Sequence, residues 1–192
     1  MPTQSMLRLS TRFRLLMLLL PMLAACNRPQ PAPVPNPTAM KQFGERLSGG
    51  HPSPEALVDA ALRALHQRDT AALIRLAITR QEFNGSIYPE MGRHYPAARD
   101  TSQQAREFVW EHQYLSSTKA MLKGLRATGG MPLQLLSVRH DERKDFGNYQ
   151  LLENPVVRVR ADGVEKELTM FGAIVAMRGT YKLLCYREPD AD

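Results

Sequence analysis

The chain has 192 residues, of which 43% are hydrophobic and 23% charged, and its formal net charge at pH 7 is +6. This composition excludes a wholly disordered chain, and the length fits one domain, alone or with extensions. Two cysteines exclude both a disulfide-rich scaffold and a zinc site built from four cysteines. No apolar run reaches the length of a mature membrane-spanning helix, about 20 residues.

The positive charge is partly a feature of the N-terminus. Three arginines and no acidic residue lie in residues 1–26, and without them 22 basic residues stand against 19 acidic ones. The remaining charge is small and scattered along the chain. Nucleic-acid binding requires basic residues clustered on one face, so no nucleic acid is expected as a partner.

Residues 1–26 have the organisation of an export signal. The three arginines precede an uncharged apolar stretch, residues 15–25, which is too short to cross a bilayer and suits the core of a signal peptide. It ends in Leu23-Ala24-Ala25-Cys26, which resembles the lipobox of bacterial lipoproteins. An ordinary secreted protein cut after Ala25 is the alternative interpretation.

The lipobox resemblance implies that the chain is cut before Cys26, that diacylglycerol is attached to its sulfur and that its new amino group is acylated. Each buried CH2 of such an anchor contributes about 0.8 kcal/mol, so several chains hold a protein stably on a membrane. The residue after the cysteine is Asn27 rather than Asp. In a Gram-negative cell this implies the outer membrane, with the protein facing the periplasm.

Residues 27–52 are predicted to be a tether. Prolines alternate with small or polar residues from Pro29 to Pro37, a pattern typical of an extended, semi-rigid spacer. The sequence Ser48-Gly49-Gly50-His51-Pro52 is expected to add flexibility at its end. Residues 53–192 then form the folded domain, which has a typical size for one domain.

Helices are predicted in the first half of this domain, where capping residues precede apolar residues at helical spacing. Short helices are expected to begin at Ser53, Asp69 and Thr79, and a long one to run from about Asp100 or Thr101 to about Arg126. The long helix is expected to be buried on a broad face that includes Phe108 and Leu115.

The second half is predicted to consist of antiparallel strands. They are expected at residues 133–139, 146–152, 156–161, 165–177 and 181–187, with a charged loop at residues 141–145. The clearest signal is the alternation of valine with arginine in residues 156–161, followed by the hairpin pair Asp162-Gly163. Helices followed by a meander of strands indicate an α+β domain.

Residues 53–73 resemble the first helices of the NTF2-like superfamily, also described as cystatin-like or SnoaL-type. There, an amphipathic helix, a short x-D-x-x-A-L step and a second helix precede a curved antiparallel sheet. Residues 171–183 resemble its last hairpin. The resemblance implies N-terminal helices packed on a curved antiparallel sheet, a cone that leaves a pocket. The superfamily includes enzymes, binding proteins and assembly subunits, so the fold does not fix the function.

No catalytic residue, metal site or cofactor site is predicted, because metal-ligand spacings, a nucleophile elbow and phosphate-binding glycine loops are missing from the sequence. The residues expected to line a ligand pocket are Tyr88, His94, Tyr95, Trp110 and His112. Packing of the aromatic segment onto the sheet, and a core position for His112, are the alternatives. Cys185 is expected to be a buried, inert thiol, and Arg158, Arg160 and Lys182 to share an exposed sheet face.

Three functions remain open on the sequence alone. The first is a lipid-anchored, non-catalytic ligand-binding or accessory domain in the bacterial cell envelope. The second is a SnoaL-like small-molecule enzyme, and the third is a structural subunit of an envelope assembly. The lack of a convergent acid–base set favours the first and third. The expected partners are the membrane, through lipid on Cys26, and a small apolar ligand or an envelope protein.

Overall fold

The structure is a computed structural model that describes residues 47–188. The predicted signal peptide, Cys26 and the tether up to residue 46 lie outside the described residues. The described helices are α1 (Pro54–Gln67), α2 (Thr70–Leu76), α3 (Arg80–Glu82), α4 (Tyr88–Met91) and α5 (Gln103–Thr128). A π-helical turn, Phe83–Ile87, joins α3 to α4, and a 3-10 turn, Pro96–Ala98, precedes α5.

The helix starts follow the predicted capping residues. The side chains of Ser53 and Asp69 accept hydrogen bonds from backbone amides in the first turns of α1 and α2. Thr79 and Glu82 form a reciprocal capping box at α3. Each cap satisfies an amide that has no partner within its helix. The long helix begins after Ser102, three residues beyond the predicted Asp100, because Ser102 supplies the cap.

Seven strands form two antiparallel sheets. They are β1 (Leu133–Arg139), β2 (Glu142–Asp145), β3 (Gln150–Glu153), β4 (Val156–Ala161), β5 (Val164–Leu168), β6 (Phe171–Met177) and β7 (Thr180–Tyr186). The first sheet has the order β1-β4-β5 and the second β2-β3-β6-β7. The predicted α+β class is therefore confirmed.

Three predicted strand boundaries were wrong. Residues 165–177 are two strands, because the exposed, charged β5 pairs in the first sheet and the buried β6 in the second. The predicted charged loop 141–145 contains strand β2, whose backbone pairs with β3 while its side chains face solvent. Phe146 lies in the turn before β3, where its amide bonds to the Tyr149 carbonyl.

Two hydrophobic clusters lie on either side of β6. The first joins α1 and α2 to the inner faces of both sheets and includes Ile174. The second gathers the π-helical turn, α4 and the turn before β3, and includes Val175. Since neighbouring residues of a strand point to opposite faces, β6 is buried on both of them.

Helix α5 is less buried than predicted. Its fully buried residues lie in its C-terminal third, which packs on the first cluster. Phe108 and Leu115 are exposed, and so is His112. The N-terminal part of the helix reaches the π-helical turn and β7 with only one face, so the opposite face remains in solvent.

Residues 47–52, here called the strap, were assigned to the end of the tether, and in the structure they lie against β7. Leu47 is only 4% exposed and belongs to the second cluster. The backbone amides of His51 and Tyr181 donate to each other's carbonyls at 2.9 and 2.8 Å. The strap is therefore paired with the edge of the second sheet.

Candidate functional site

A cavity of about 690 Å³ lies beside β7, the edge strand of the second sheet. Its walls come from α2 and the residues that follow it, from α5, from β7 and from the strap. This volume is within the range of pockets that enclose a small organic ligand, about 300–1,000 Å³. The cavity is the candidate functional site.

One wall of the cavity is aromatic. Trp110 and Tyr114 lie one turn apart on α5 and stack with ring centroids 5.6 Å apart and an interplanar angle of 27°. Trp110 is supported from behind by Phe83, at 5.4 Å. Within residues 47–188, neither the indole N–H nor the Tyr114 hydroxyl makes a hydrogen bond to the protein. The wall therefore offers a flat apolar surface with two available polar atoms.

Another part of the wall is the edge of β7, where several backbone groups already have partners. Gln113 Nε2 donates to the Leu184 carbonyl at 3.1 Å, and the Tyr186 amide donates to Ser117 Oγ at 2.9 Å. The Tyr186 hydroxyl donates to the Leu73 carbonyl at 2.8 Å. An edge strand with unpaired amides attracts other strands, and these contacts cover the edge. The polar side chains in this wall thus hold the cavity together.

A buried ion pair closes the cavity on the side of the strap. Lys182 Nζ lies 2.9 Å from Glu82 Oε2 and donates to the Ser48 carbonyl at 3.1 Å, and its side chain is only 2% exposed. Glu82 also accepts hydrogen bonds from the amides of Ser48 and Thr79. The prediction that Lys182 shares an exposed face with Arg158 and Arg160 was wrong. Those arginines lie in the first sheet and pair with Glu165.

The Glu82 carboxyl is held in its ionised form. Burial alone would raise its pKa, but the hydrogen bonds from Lys182, Thr79 and Ser48 outweigh burial and lower the pKa below its ordinary value of 4.5. Hydrogen bonds to the charged form of an acid favour that form. The Ser48 end of the strap is therefore fixed by two groups charged at neutral pH.

Two arginines also line the cavity, and they differ in how closely a carboxylate pairs with them. Arg80 is engaged by Glu107, whose Oε2 accepts from Arg80 Nε at 2.7 Å. Arg75 has only a distant carboxylate, with 3.9 Å between its NH2 atom and Asp69 Oδ2, and its side chain is 70% exposed. A separation of 3.9 Å is too long for a hydrogen bond. Arg75 is thus the more available cation of the two.

The structure does not bring the five predicted pocket residues together. Trp110 lines the cavity, and its neighbour His112 is exposed on another face of α5. The other three lie in or around the second cluster and are not among the described residues that line the cavity. Their partners are the Asp100 carbonyl for Tyr88, the Asp145 carbonyl for His94 and the Glu153 carboxylate for Tyr95.

Most of the cavity wall was missed at the sequence level. One signal was available on α5, where Trp110, Gln113, Tyr114, Ser117 and Met121 recur at the spacing of a single helical face. A helix face that mixes aromatic with hydrogen-bonding residues differs from a core face, which is apolar, and from a solvent-exposed face, which is polar. Such a face indicates the wall of a cavity. No sequence pattern marked Arg75 and Lys182 as lining residues, because only the tertiary fold brings them to the cavity.

Cys185 lies outside the cavity lining. Burial raises the pKa of its thiol to about 11. The thiolate is the nucleophilic form, so this sulfur is unreactive at neutral pH.

Residues 47–188 contain neither a cluster of metal-binding side chains nor a helix that could span a membrane. No group of three or more potential metal-binding side chains lies together there. No helix in that part of the chain has the length and apolar character needed to cross a bilayer. Comparison of the chain with protein-family models, with curated proteins and with solved structures gave no match.

Proposed function

We propose that the protein is a lipid-anchored component of the bacterial cell envelope whose domain binds a small, largely apolar molecule in the cavity. The observation that carries this proposal is the 690 Å³ cavity with the stacked Trp110 and Tyr114 in its wall. A concave, mainly apolar pocket with a few polar groups is typical of small-molecule sites.

We also propose that the two antiparallel sheets and the helices before them form an NTF2-like cone. Support comes from the order of the elements, four shorter helices and one long helix followed by antiparallel strands. The cavity lies against the long helix, as the resemblance leads one to expect.

Binding is favoured over catalysis by the chemistry of the cavity wall. Gln113, Ser117, Lys182 and the Tyr186 hydroxyl are all engaged in contacts that hold secondary structure elements together. No carboxylate is among the described residues that line the cavity. General acid–base catalysis requires a proton-transferring group within reach of the substrate. The lining residues left for that role are His51 and Tyr114, and neither has a carboxylate beside it in the described lining.

Fluorescence of Trp110 provides the test of binding, because it is the only tryptophan of the chain. Titration with octanol is expected to shift its emission. Replacing Tyr114 with alanine removes half of the aromatic wall and is expected to weaken binding by about 1 kcal/mol, or about fivefold in Kd.

His112→Ala is the matched control, since His112 lies on the same helix but outside the cavity. Its Kd for octanol should equal that of the unmodified chain. A folded protein whose Trp110 emission responds to no small amphiphile would contradict the proposed binding function.

The lipid anchor is tested by Cys26→Ser. Expressed in a Gram-negative host, the unmodified chain is expected in the membrane fraction with the mass of a diacylglyceryl and an acyl group. The Cys26→Ser variant should remain an uncleaved precursor that lacks this mass, because the thioether cannot form. Cys185→Ser removes the other cysteine and should leave the lipid in place. A lipid-free chain cut at another position would contradict the anchor.

A further inference from the structure

Resting on the proposed function, we propose that the cavity takes a single-chain amphiphile with an anionic head group, and that Arg75 binds this head group. The shared chemistry is a carboxylate or a phosphate at the end of an apolar chain.

The charges around the cavity favour an anion. Its described lining contains the cations Arg75, Arg80 and Lys182 and no carboxylate, while burial and Arg63 lower the pKa of the lining residue His51. Glu82 and Glu107, which lie outside the lining, offset Lys182 and Arg80, so the field that attracts an anion into this low-dielectric cleft comes mainly from Arg75. A cationic ligand is therefore disfavoured.

Of these cationic groups, Arg75 is the one whose N–H donors are available to a ligand. Lys182 is occupied by Glu82 and the Ser48 carbonyl, and Arg80 is occupied by Glu107. Arg75 has no hydrogen bond to the protein within residues 47–188, and Asp69 stands 3.9 Å away. A guanidinium presents five N–H donors in a planar fork that matches a carboxylate or a phosphate.

The lining side chains also differ between the inner end of the cavity and its mouth. The side chains of Met121, Leu76 and Tyr186 line the cavity and are buried, and from this burial we infer that they form its closed end. Arg75, Ile74 and Tyr114 line the cavity as well and are partly or largely exposed, which places them at the mouth. An apolar chain fits the closed end, while a charged group at the mouth keeps its contact with water and with Arg75. This arrangement matches an amphiphile better than a uniformly apolar or uniformly polar molecule.

The test compares four ligands with the same eight-carbon chain: octanoate, octyl phosphate, octanol and octyltrimethylammonium. Emission of Trp110 is titrated on the full chain in lipid nanodiscs, with empty nanodiscs as the correction for partitioning. We expect at least one of the two anions to bind about tenfold more tightly than octanol, as one charge-assisted contact predicts. Tight binding of octanoate alone identifies a carboxylate ligand, and of octyl phosphate alone a phosphate ligand.

Arg75→Gln should abolish the preference for anions, measured as the ratio of the Kd for octanol to the Kd for the tighter anion. Arg126→Gln removes the same charge from an exposed position outside the cavity lining and should preserve the preference. Thermal melting checks that both variants are folded. Equal affinities for octanol and the anions, tighter binding of the cation, or an equal effect of the two variants would overturn the role of Arg75. In each of those cases a response to octanol still supports the proposed function, whereas no response to any ligand would refute both.

Discussion

Replacing Lys182 with methionine is expected to lower the free energy of unfolding by about 3–5 kcal/mol, the cost of breaking a buried ion pair from one side. The substitution keeps an apolar stem but removes the ammonium group from Glu82 and from the Ser48 carbonyl. Glu82 would then be a largely buried carboxylate with only two backbone amides for support. Urea unfolding measures this loss. The urea concentration at the midpoint should fall, while the slope of the unfolding free energy against urea concentration stays unchanged.

Lys144→Met is the matched control, because Lys144 also makes a 2.7 Å ion pair, with Glu153, but is 24% exposed. Water replaces the lost partner of a more exposed pair, and the expected cost is about 1 kcal/mol or less. Equal losses in the two variants would contradict a special role for burial at Lys182.

The same ion pair predicts a pH dependence. The pKa of Glu82 is lower in the folded state than its ordinary value of 4.5, so the unfolded chain takes up the proton first as the pH falls. Its contribution to stability is complete above pH 4.5 and is lost as the pH falls through the folded-state pKa. The difference in stability between the unmodified chain and Glu82→Gln should therefore shrink with acidification below pH 4.5.

Local sequence patterns predicted most of the helices and the tightest turn. The capping residues of α1, α2 and α3 lie where the sequence places them, because a cap depends on residues three positions apart. Asp162 and Gly163 both have positive φ, at 50° and 82°, as the two central residues of a type I′ hairpin require. These features are determined within a few residues and are visible without tertiary structure.

The buried position of Lys182 could not be predicted in the same way. Strand alternation predicts Tyr181, Leu183 and Cys185 on one face and Lys182 on the other, exposed face. Lys182 does lie on the face opposite Leu183, paired with Val175, but the second cluster, Glu82 and the strap cover that face. Further along the strand, an irregularity in the pairing of β6 with β7 at Ala173 brings both Leu183 and Tyr186 into the first cluster. A bulge of this kind shifts the side chains on one part of a strand to the other face.

Gly172 marks this irregularity. A Cβ on Gly172 would lie 2.5 Å from Cys185 Sγ and 3.1 Å from the Cys185 carbonyl oxygen, so only glycine allows the two strands to approach this closely. The sequence shows this glycine. It does not show which strand faces it.

The cavity was only partly predictable for a similar reason. Trp110 was expected at a pocket because it lies on an aromatic face of the long helix. The segment around Tyr88 and Tyr95 was expected to join it, yet these side chains make their hydrogen bonds to Asp100 and Glu153. What closes the cavity is the chain after α2, where the Ile78 amide donates to the Leu183 carbonyl at 2.8 Å. These two residues are 105 positions apart in the chain, so their contact leaves no local sequence pattern in either segment.

The second large effect concerns the strap, which the sequence assigned to the tether. A chain that begins at Ser53 loses the buried side chain of Leu47, a contribution of about 1.5–3 kcal/mol. It also loses the paired hydrogen bonds between His51 and Tyr181, each with a net contribution of about 1 kcal/mol. The Lys182–Glu82 pair would in addition lose both of its contacts to Ser48. We therefore expect a loss of about 4 kcal/mol in urea unfolding relative to a chain that begins at residue 45.

The cavity should be affected together with the stability, since Ser48, Gly49 and His51 form part of its lining. In the chain that begins at Ser53, Trp110 emission is expected to respond to octanol only at higher concentrations than in the chain that begins at residue 45. The longer chain is the control, because it keeps the strap and lacks the predicted signal and most of the tether. If both chains unfold at the same urea concentration and bind octanol equally, residues 47–52 contribute no more than a spacer, and the domain starts at residue 53 as the sequence predicts. A difference in stability without a difference in binding would mean that the strap stabilises β7 but does not enclose the ligand.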